Sequence, residues 1–281
     1  MKASQITLAI VVAFAAVAVQ AQSLTRPGVD AGNINAEGTV NGAITQIGGG
    51  ALSLGLSGGS RTRSAIDGQN VRVGGVAGVV NASRINASGT AGGAITQVRV
   101  GALEAANQQL VSIGSVSNTT ANNIDVTGNT TAIVTQIGGS AASGLNTQAL
   151  QVGAADEVTA NNIRARGNLI GVSTQIAVEA LGVANEQIAT IGGARRVDAN
   201  NLNLEGTLNG ALLQVNVVAV GGANTQVANI GGAHNTRASN ITTRGTVNGA
   251  VTQVSATVGS GNLQSAVVGG VQGANVSGTE E

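Results

Sequence analysis

The sequence predicts an all-β fold, a β-solenoid of six 39-residue repeats stacked along one axis. Three observations predict it. A landmark, a Thr-Gln pair followed by Ile or Val, recurs around Gln46, Gln97, Gln136, Gln175, Gln214 and Gln253, and the last five of these glutamines are 39 residues apart each time. Other columns keep the same step: Gly89, Gly128, Gly167, Gly206 and Gly245 upstream, and Asn107, Asn146, Asn185 and Asn224 downstream, with Asn262 one residue early. A fixed period of this length marks stacked supersecondary units. Finally, each copy carries at least four glycines, each costing about 1 kcal/mol in a helix interior, and is rich in Thr, Val and Ile, so strands are favoured over helices.

Taken in order, the chain opens with Lys2, an apolar run from Ile6 to Val19, and Val19-Gln20-Ala21 at a small-residue cleavage point. Residues 1–21 are read as a secretory signal peptide, since the run is shorter than the roughly 20 apolar residues that span a bilayer. Its removal takes away the only Met, Phe and Lys. The mature chain would then have no aromatic residue and no Cys, so its stability must come from backbone hydrogen bonds and packing. Residues 22–32, with the only proline, Pro27, form a lead-in segment.

The six-copy array covers 33–270, with copies opening near Asn33, Arg84, Asn123, Asn162, Asn201 and Asn240. Gln46 to Gln97 spans 51 residues, twelve more than the period. The surplus is assigned to a Gly/Ser/Arg-rich insertion near 53–70, which lacks the Asn-x-Gln signature and reads as a surface loop or a cap on the first turn. Residues 271–281 form a short tail.

Each copy holds three strand-like runs, Ile124–Thr127, Ala132–Ala141 and Asn146–Val152 in the third copy, separated by Gly-containing turns. In the second run Ile133, Thr135, Ile137 and Ala141 occupy small or apolar columns, and this parity points the threonine column (Thr45, Thr96, Thr135, Thr174, Thr252) inward. The third run alternates, with Asn146, Gln148, Leu150 and Val152 on one face, which should point inward. A buried amide left unpaired costs roughly 1–3 kcal/mol. Stacked on its own copy about 4.8 Å away, each amide carbonyl can accept from the next amide. Axial ladders are therefore expected for the landmark glutamines, for Asn107, Asn146, Asn185, Asn224 and Asn262, and for Gln109, Gln148, Gln187, Gln226 and Gln264. The asparagine column at Asn33, Asn123, Asn162, Asn201 and Asn240 suits the same arrangement.

The segments GLNTQALQVG (144–153), GVANEQIATIG (182–192), GGANTQVANIG (221–231) and GSGNLQSAVVG (259–269) resemble the Gly-x-x-Asn-x-Gln element of the secreted functional-amyloid subunits of the curlin and Fap families. The resemblance covers residues 84–270 and implies extracellular fibre formation through stacked rungs. The period is longer than the curlin repeat, the copies are contiguous where Fap repeats are separated by linkers, and aromatic residues are missing.

No catalytic constellation is present. The single histidine, His234, reads as a solvated turn residue, and without Cys or a second His no zinc site assembles. Asp156-Glu157 and Glu280-Glu281 are adjacent carboxylates outside any β-roll calcium motif, and Gly48-Gly49-Gly50 lacks the Lys-Ser/Thr of a phosphate loop. The missing aromatics exclude stacking on bases or sugars and the girdles of an outer-membrane barrel. Near-zero net charge, without blocks, argues against nucleic-acid binding and membrane insertion.

The expectation is therefore a secreted, non-enzymatic structural protein without cofactor or metal. It would polymerise with itself, head to tail, into extracellular or cell-surface fibres such as a biofilm matrix, with a nucleator or an outer-membrane secretion apparatus as further candidate partners. The alternative is a monomeric β-solenoid that binds a surface, as an adhesin or an ice-binding protein does.

Overall fold

A computed structural model describes residues 29–50, 66–257, 261–273 and 275–276. The expected signal peptide, most of the lead-in segment, residues 53–65 of the insertion and the last five residues lie outside the described residues. Twelve strands follow in order: β1 (Val29–Gly50), β2 (Ile66–Val73), β3 (Val76–Ile113), β4 (Val116–Val152), β5 (Ala155–Ile191), β6 (Ala194–Arg195), β7 (Asp198–Ile230), β8 (Ala233–His234), β9 (Arg237–Thr257), β10 (Asn262–Val268), β11 (Val271–Gln272) and β12 (Asn275–Val276). All pair in parallel within one sheet. From Val80↔Thr119 to Val218↔Thr257 the offset between partners is 39 residues, so each copy makes one turn of a β-solenoid.

The irregular first copy resolves into two steps. The offset is 51 residues at Gly50↔Gly101 and 40 at Ile66↔Ala106, which places eleven surplus residues between Gly50 and Ile66. The twelfth is a bulge between Ala77 and Val80. Residues 66–70, assigned from the sequence to the insertion, are therefore part of the array: Asp67 pairs with Asn107 and Gln69 with Gln109. Asp in the Asn position hid the signature. The array also reaches past its expected limits, because Val29–Ala31 pair with Val80–Ala82, and Val271–Gln272 and Asn275–Val276 pair with residues of the fifth copy.

Each turn is pinched into two lobes. Gly128 packs backbone to backbone on Gly153 and on the carbonyl of Ile113, and Gly89, Gly167, Gly206 and Gly245 repeat the contact with Gly114, Gly192, Gly231 and Gly269. No side chain fits between the two runs at this waist. The partner glycines sit at φ of 56–61°, the left-handed region, and Asn118, Glu157, Arg196 and Asn235, four residues further on, are also left-handed at 49–55°.

The waist divides the interior into two hydrophobic columns. One holds Ile34, Ile85, Ile124, Ile163 and Leu202 with Val126 and Leu204. The other holds Ile95, Val134 and Leu212, facing Ile113, Val152, Ile191 and Ile230. Identical or similar residues stack directly on one another, so each turn covers the apolar side of the next.

The third run points as the alternation requires, with Asn146, Gln148, Leu150 and Val152 all buried. The second run corrects one expectation. Val134 and Gln136 are buried, whereas Ile133 is 56% exposed and Thr45 and Thr252 are exposed, so the threonine column faces outward. Apolar residues occupy both parities of this run, so its outer row is as apolar in the sequence as its inner one.

Candidate assembly interface

Two glutamine ladders run through the second lobe. In the first, Gln97 Nε2 donates to Gln46 Oε1 at 2.8 Å, Gln136 to Gln97 at 2.9 Å, and Gln175, Gln214 and Gln253 each to the glutamine before it at 2.8 Å. In the second, Gln109 donates to Gln69 at 2.9 Å, followed by Gln148, Gln187, Gln226 and Gln264 at 2.8–2.9 Å. Gln69 is the member that the sequence reading missed. The pattern Asp67-x-Gln69 followed by Val71 and Val73 carries the signal, at an offset of 40.

The second amide hydrogen ties the runs together. Gln136 Nε2 reaches the carbonyls of Gln109 and Ala149 at 3.2 and 3.1 Å, and Gln175 repeats this with Gln148 and Ile188. Gln148 Nε2 reaches the carbonyl of Ile176 at 2.8 Å, Gln187 that of Val215 at 2.9 Å, and Gln226 that of Val254 at 3.0 Å. Each fully buried amide thus bonds along the axis and across the lobe, which offsets the desolvation of these polar groups.

The asparagines of Asn-x-Gln correct the expectation of a third ladder. Asn185 Nδ2 donates across the lobe to Asn216 Oδ1 at 2.6 Å, and Asn224 lies 3.5 Å from Ser255 Oγ. Opposite Asn146 the equivalent residue is Ala177, and the Asn146 Oδ1 is buried without a partner. The facing residue, different in every copy, directs these side chains. Asn107 and Asn262 take register positions in the same column.

True asparagine ladders lie outside, at the corner of the first lobe. Asn162, Asn201 and Asn240 each donate to the preceding member of the Asn123 column at 2.8–2.9 Å, and Asn161 and Asn200 form a parallel row at 3.1–3.3 Å. A shallow groove of about 500 Å³ runs along this corner beside Asp125, Arg164 and Asn203.

In the re-entrant corner between the lobes, one column breaks the repeat. Ser117, Asp156, Arg195, His234 and Gln272 occupy successive turns. Arg195 donates from Nε and Nη2 to the Asp156 carboxylate at 3.3 and 3.1 Å and from Nη1 to Glu186 at 3.1 Å. Burial pushes the Arg195 pKa down, but the charges of Asp156 and Glu186 and their hydrogen bonds outweigh it, and the guanidinium is held above the ordinary arginine value. Arg196 holds Glu157 at 2.8 Å and reaches Asp156 at 3.4 Å, so both adjacent carboxylates are engaged by arginines. His234 is half-buried rather than freely solvated, its ring nitrogens 3.1 Å from Gln272 Oε1 and 3.2 Å from Asn235 Nδ2. The opposite charges 39 residues apart were visible in the repeat, but their burial was not.

The ladders are polar. Every Nε2 donates toward the N-terminal end, so Gln253 and Gln264 present Oε1 toward the C-terminal end. Gln46 and Gln69 each bond a carbonyl, at 3.2 and 3.1 Å, and retain a second Nε2 hydrogen without a partner among the described residues. The apolar columns run out in the same direction: Val268 is 46% exposed and Val271 48%, where their axial neighbours Ile230 and Ala233 are fully buried.

Comparison of the chain with protein-family models, curated proteins and solved structures finds no match to any of them.

Proposed function

We propose that this chain is a secreted structural subunit that polymerises head to tail into extracellular fibres, with the turns and both glutamine ladders continuing from one subunit to the next. The observation that carries this reading is the complementarity of the two ends. One offers two glutamine Oε1 acceptors and exposed apolar residues in line with the core; the other offers two Nε2 hydrogens in the same two columns. Docking one on the other satisfies groups that a free end leaves to water. The C-terminal copy meets the first copy of the next molecule, and the eleven surplus residues fall between strands that keep their register. The Lys2-led apolar segment supports secretion, and the likeness of the Asn-x-Gln segments to curlin and Fap elements supports the fibre. The inventory of polar residues, engaged in ladders and arginine pairs, supports a role without catalysis.

The test is filament mass by sedimentation, with circular dichroism of the soluble fraction. Val268→Arg with Val271→Arg places charge on the terminal turn alone and should abolish filaments while the soluble protein keeps its β spectrum. Undiminished filaments would sink the end-to-end reading.

A second reading, a monomeric solenoid that binds an ordered surface such as ice, draws on the outward threonine column. It stays second because Leu213 interrupts the row and because it gives the two complementary ends no role.

A further inference from the structure

The outward side of the second run differs from the outer side of the first lobe. Five rows stack there, six turns deep, headed by Asn41, Ala43, Thr45, Ile47 and Gly49. None of these positions carries an Asp, Glu, Lys or Arg. The outer side of the first lobe, in contrast, carries Asp125, Arg164, Arg166, Glu205 and Arg244. Several large apolar side chains on the charge-free side are open to solvent, including Ile47 at 78%, Ile133 at 56% and Val178 at 49%.

The rows have a size order. On one side of the threonine row lie Ala43, Ala94, Ile133, Val172, Ala211 and Ala250; on the other lie Ile47, Val98, Ile137, Ile176, Val215 and Val254. A two-fold axis parallel to the solenoid axis and running over the threonine row sets each row of one copy against the opposite row of the other. Ala then meets Ile or Val in four of the six turns, and threonine meets threonine in five, with Leu213 against Leu213 in the other. Sheets packed face to face sit about 10 Å apart, and small-against-large rows fill that space. The side spans about 29 Å along the axis and about 27 Å along the chain. That is roughly 800 Å² per partner, the size of a standard stable interface.

The geometry points to a second copy of this chain as the occupant of this side: two solenoids pair laterally, axes parallel, through the Thr45–Thr252 row and its flanking apolar rows. The pairing is independent of end-to-end growth, and together the two contacts make bundled filaments.

Sedimentation velocity of the Val268→Arg/Val271→Arg protein reads lateral pairing without end-to-end growth, and it should sediment as a dimer at micromolar concentration. Adding Ile133→Lys and Val172→Lys, both on exposed outward positions, should weaken the dimer at least a hundredfold. A second probe needs no destabilising change. The chain has no cysteine, so Thr135→Cys supplies a single thiol that a short bis-maleimide should link to its own counterpart, whereas Asn203→Cys on the first lobe should stay unlinked. A monomeric parent, a dimer insensitive to both lysines, or equal cross-linking from the two cysteines would overturn the proposal. So would a monomer whose thermal hysteresis in ice is lost with the lysines, which would assign the side to a crystalline surface.

Discussion

Gln148 closes a hydrogen bond on the carbonyl of Ile176, 28 residues on, at 2.8 Å. Its other amide hydrogen goes to Gln109 Oε1 at the same distance, and its own Oε1 accepts from Gln187. One fully buried side chain thus fastens three successive copies.

Gln148→Leu leaves Gln109 Oε1 and the Ile176 carbonyl without their donor and removes the acceptor of Gln187. The loss should be about 2–4 kcal/mol, since each orphaned buried group costs roughly 1–3 kcal/mol. Thr147→Val, next door and facing outward, should stay within about 0.5 kcal/mol. Urea denaturation compares the two, and equal losses would undo the ladder assignment. Glu186→Leu is unsuitable as the neutral comparison for the same change at Gln187, because Glu186 is bonded to Arg195.

The ladders were legible because a 39-residue step repeated in Gln, Gly and Asn has few explanations other than stacking. The third run's face was also legible, since the columns that recur from copy to copy, those of Asn146, Gln148 and Val152, fall on one parity. The second run was not, because Ile133 and Ile137 outside are as apolar as Val134 inside, and periodicity cannot choose between two apolar faces. The waist escaped notice because a glycine column reads equally as a turn. Only the contact of Gly128 with Gly153 reveals a close approach of two runs of the chain.

That contact makes a sharp prediction. A Cβ on Gly128 falls on the backbone nitrogen of Gly153 and the carbonyl oxygen of Ile113, neither of which can move without breaking the sheet. Gly128→Ala should therefore cost about 3 kcal/mol, the upper end of the overpacking range. At Gly139 a Cβ meets nothing nearer than the Val178 carbonyl at 3.8 Å, so Gly139→Ala should be near neutral. A thermal melt of the pair tests the waist, and a neutral Gly128→Ala would count against it.

The Asp156–Arg195 pair sets two specific copies side by side in an array whose copies otherwise resemble one another. Arg195→Met strands a carboxylate whose side chain is only 10% exposed, and should cost about 2–4 kcal/mol, less than for a fully buried pair because Arg196 remains within reach. Asp156→Leu with Arg195→Met removes both charges and should recover most of that loss. The sign with pH follows from the raised Arg195 pKa: the charged form is favoured in the folded state, so its contribution is fully present below the ordinary arginine range and is lost only in strongly alkaline solution. The gap between wild type and Arg195→Met should thus stay flat between about pH 6 and pH 10. A gap that closes within that window would mean that another group carries the effect.

The polarity of the ladders predicts how growth stops. A Val268→Arg/Val271→Arg subunit keeps the end with Gln46 and Gln69 intact and loses only the end with Gln253 and Gln264. It should therefore add to the C-terminal end of a wild-type filament, bonding its free Nε2 hydrogens to the waiting Oε1 atoms, and then present arginines to the next subunit. Burying those charges unpaired is costly, so elongation stops there. A small fraction of the variant should shorten filaments far out of proportion to its share, with mean length falling roughly as the inverse of that fraction. An Ile133→Lys/Val172→Lys subunit, whose ends are both intact, should enter filaments without shortening them and only loosen their bundling. Electron microscopy of mixed samples separates the outcomes. If the terminal variant merely dilutes the wild type and leaves length unchanged, the two ends do not meet in the filament.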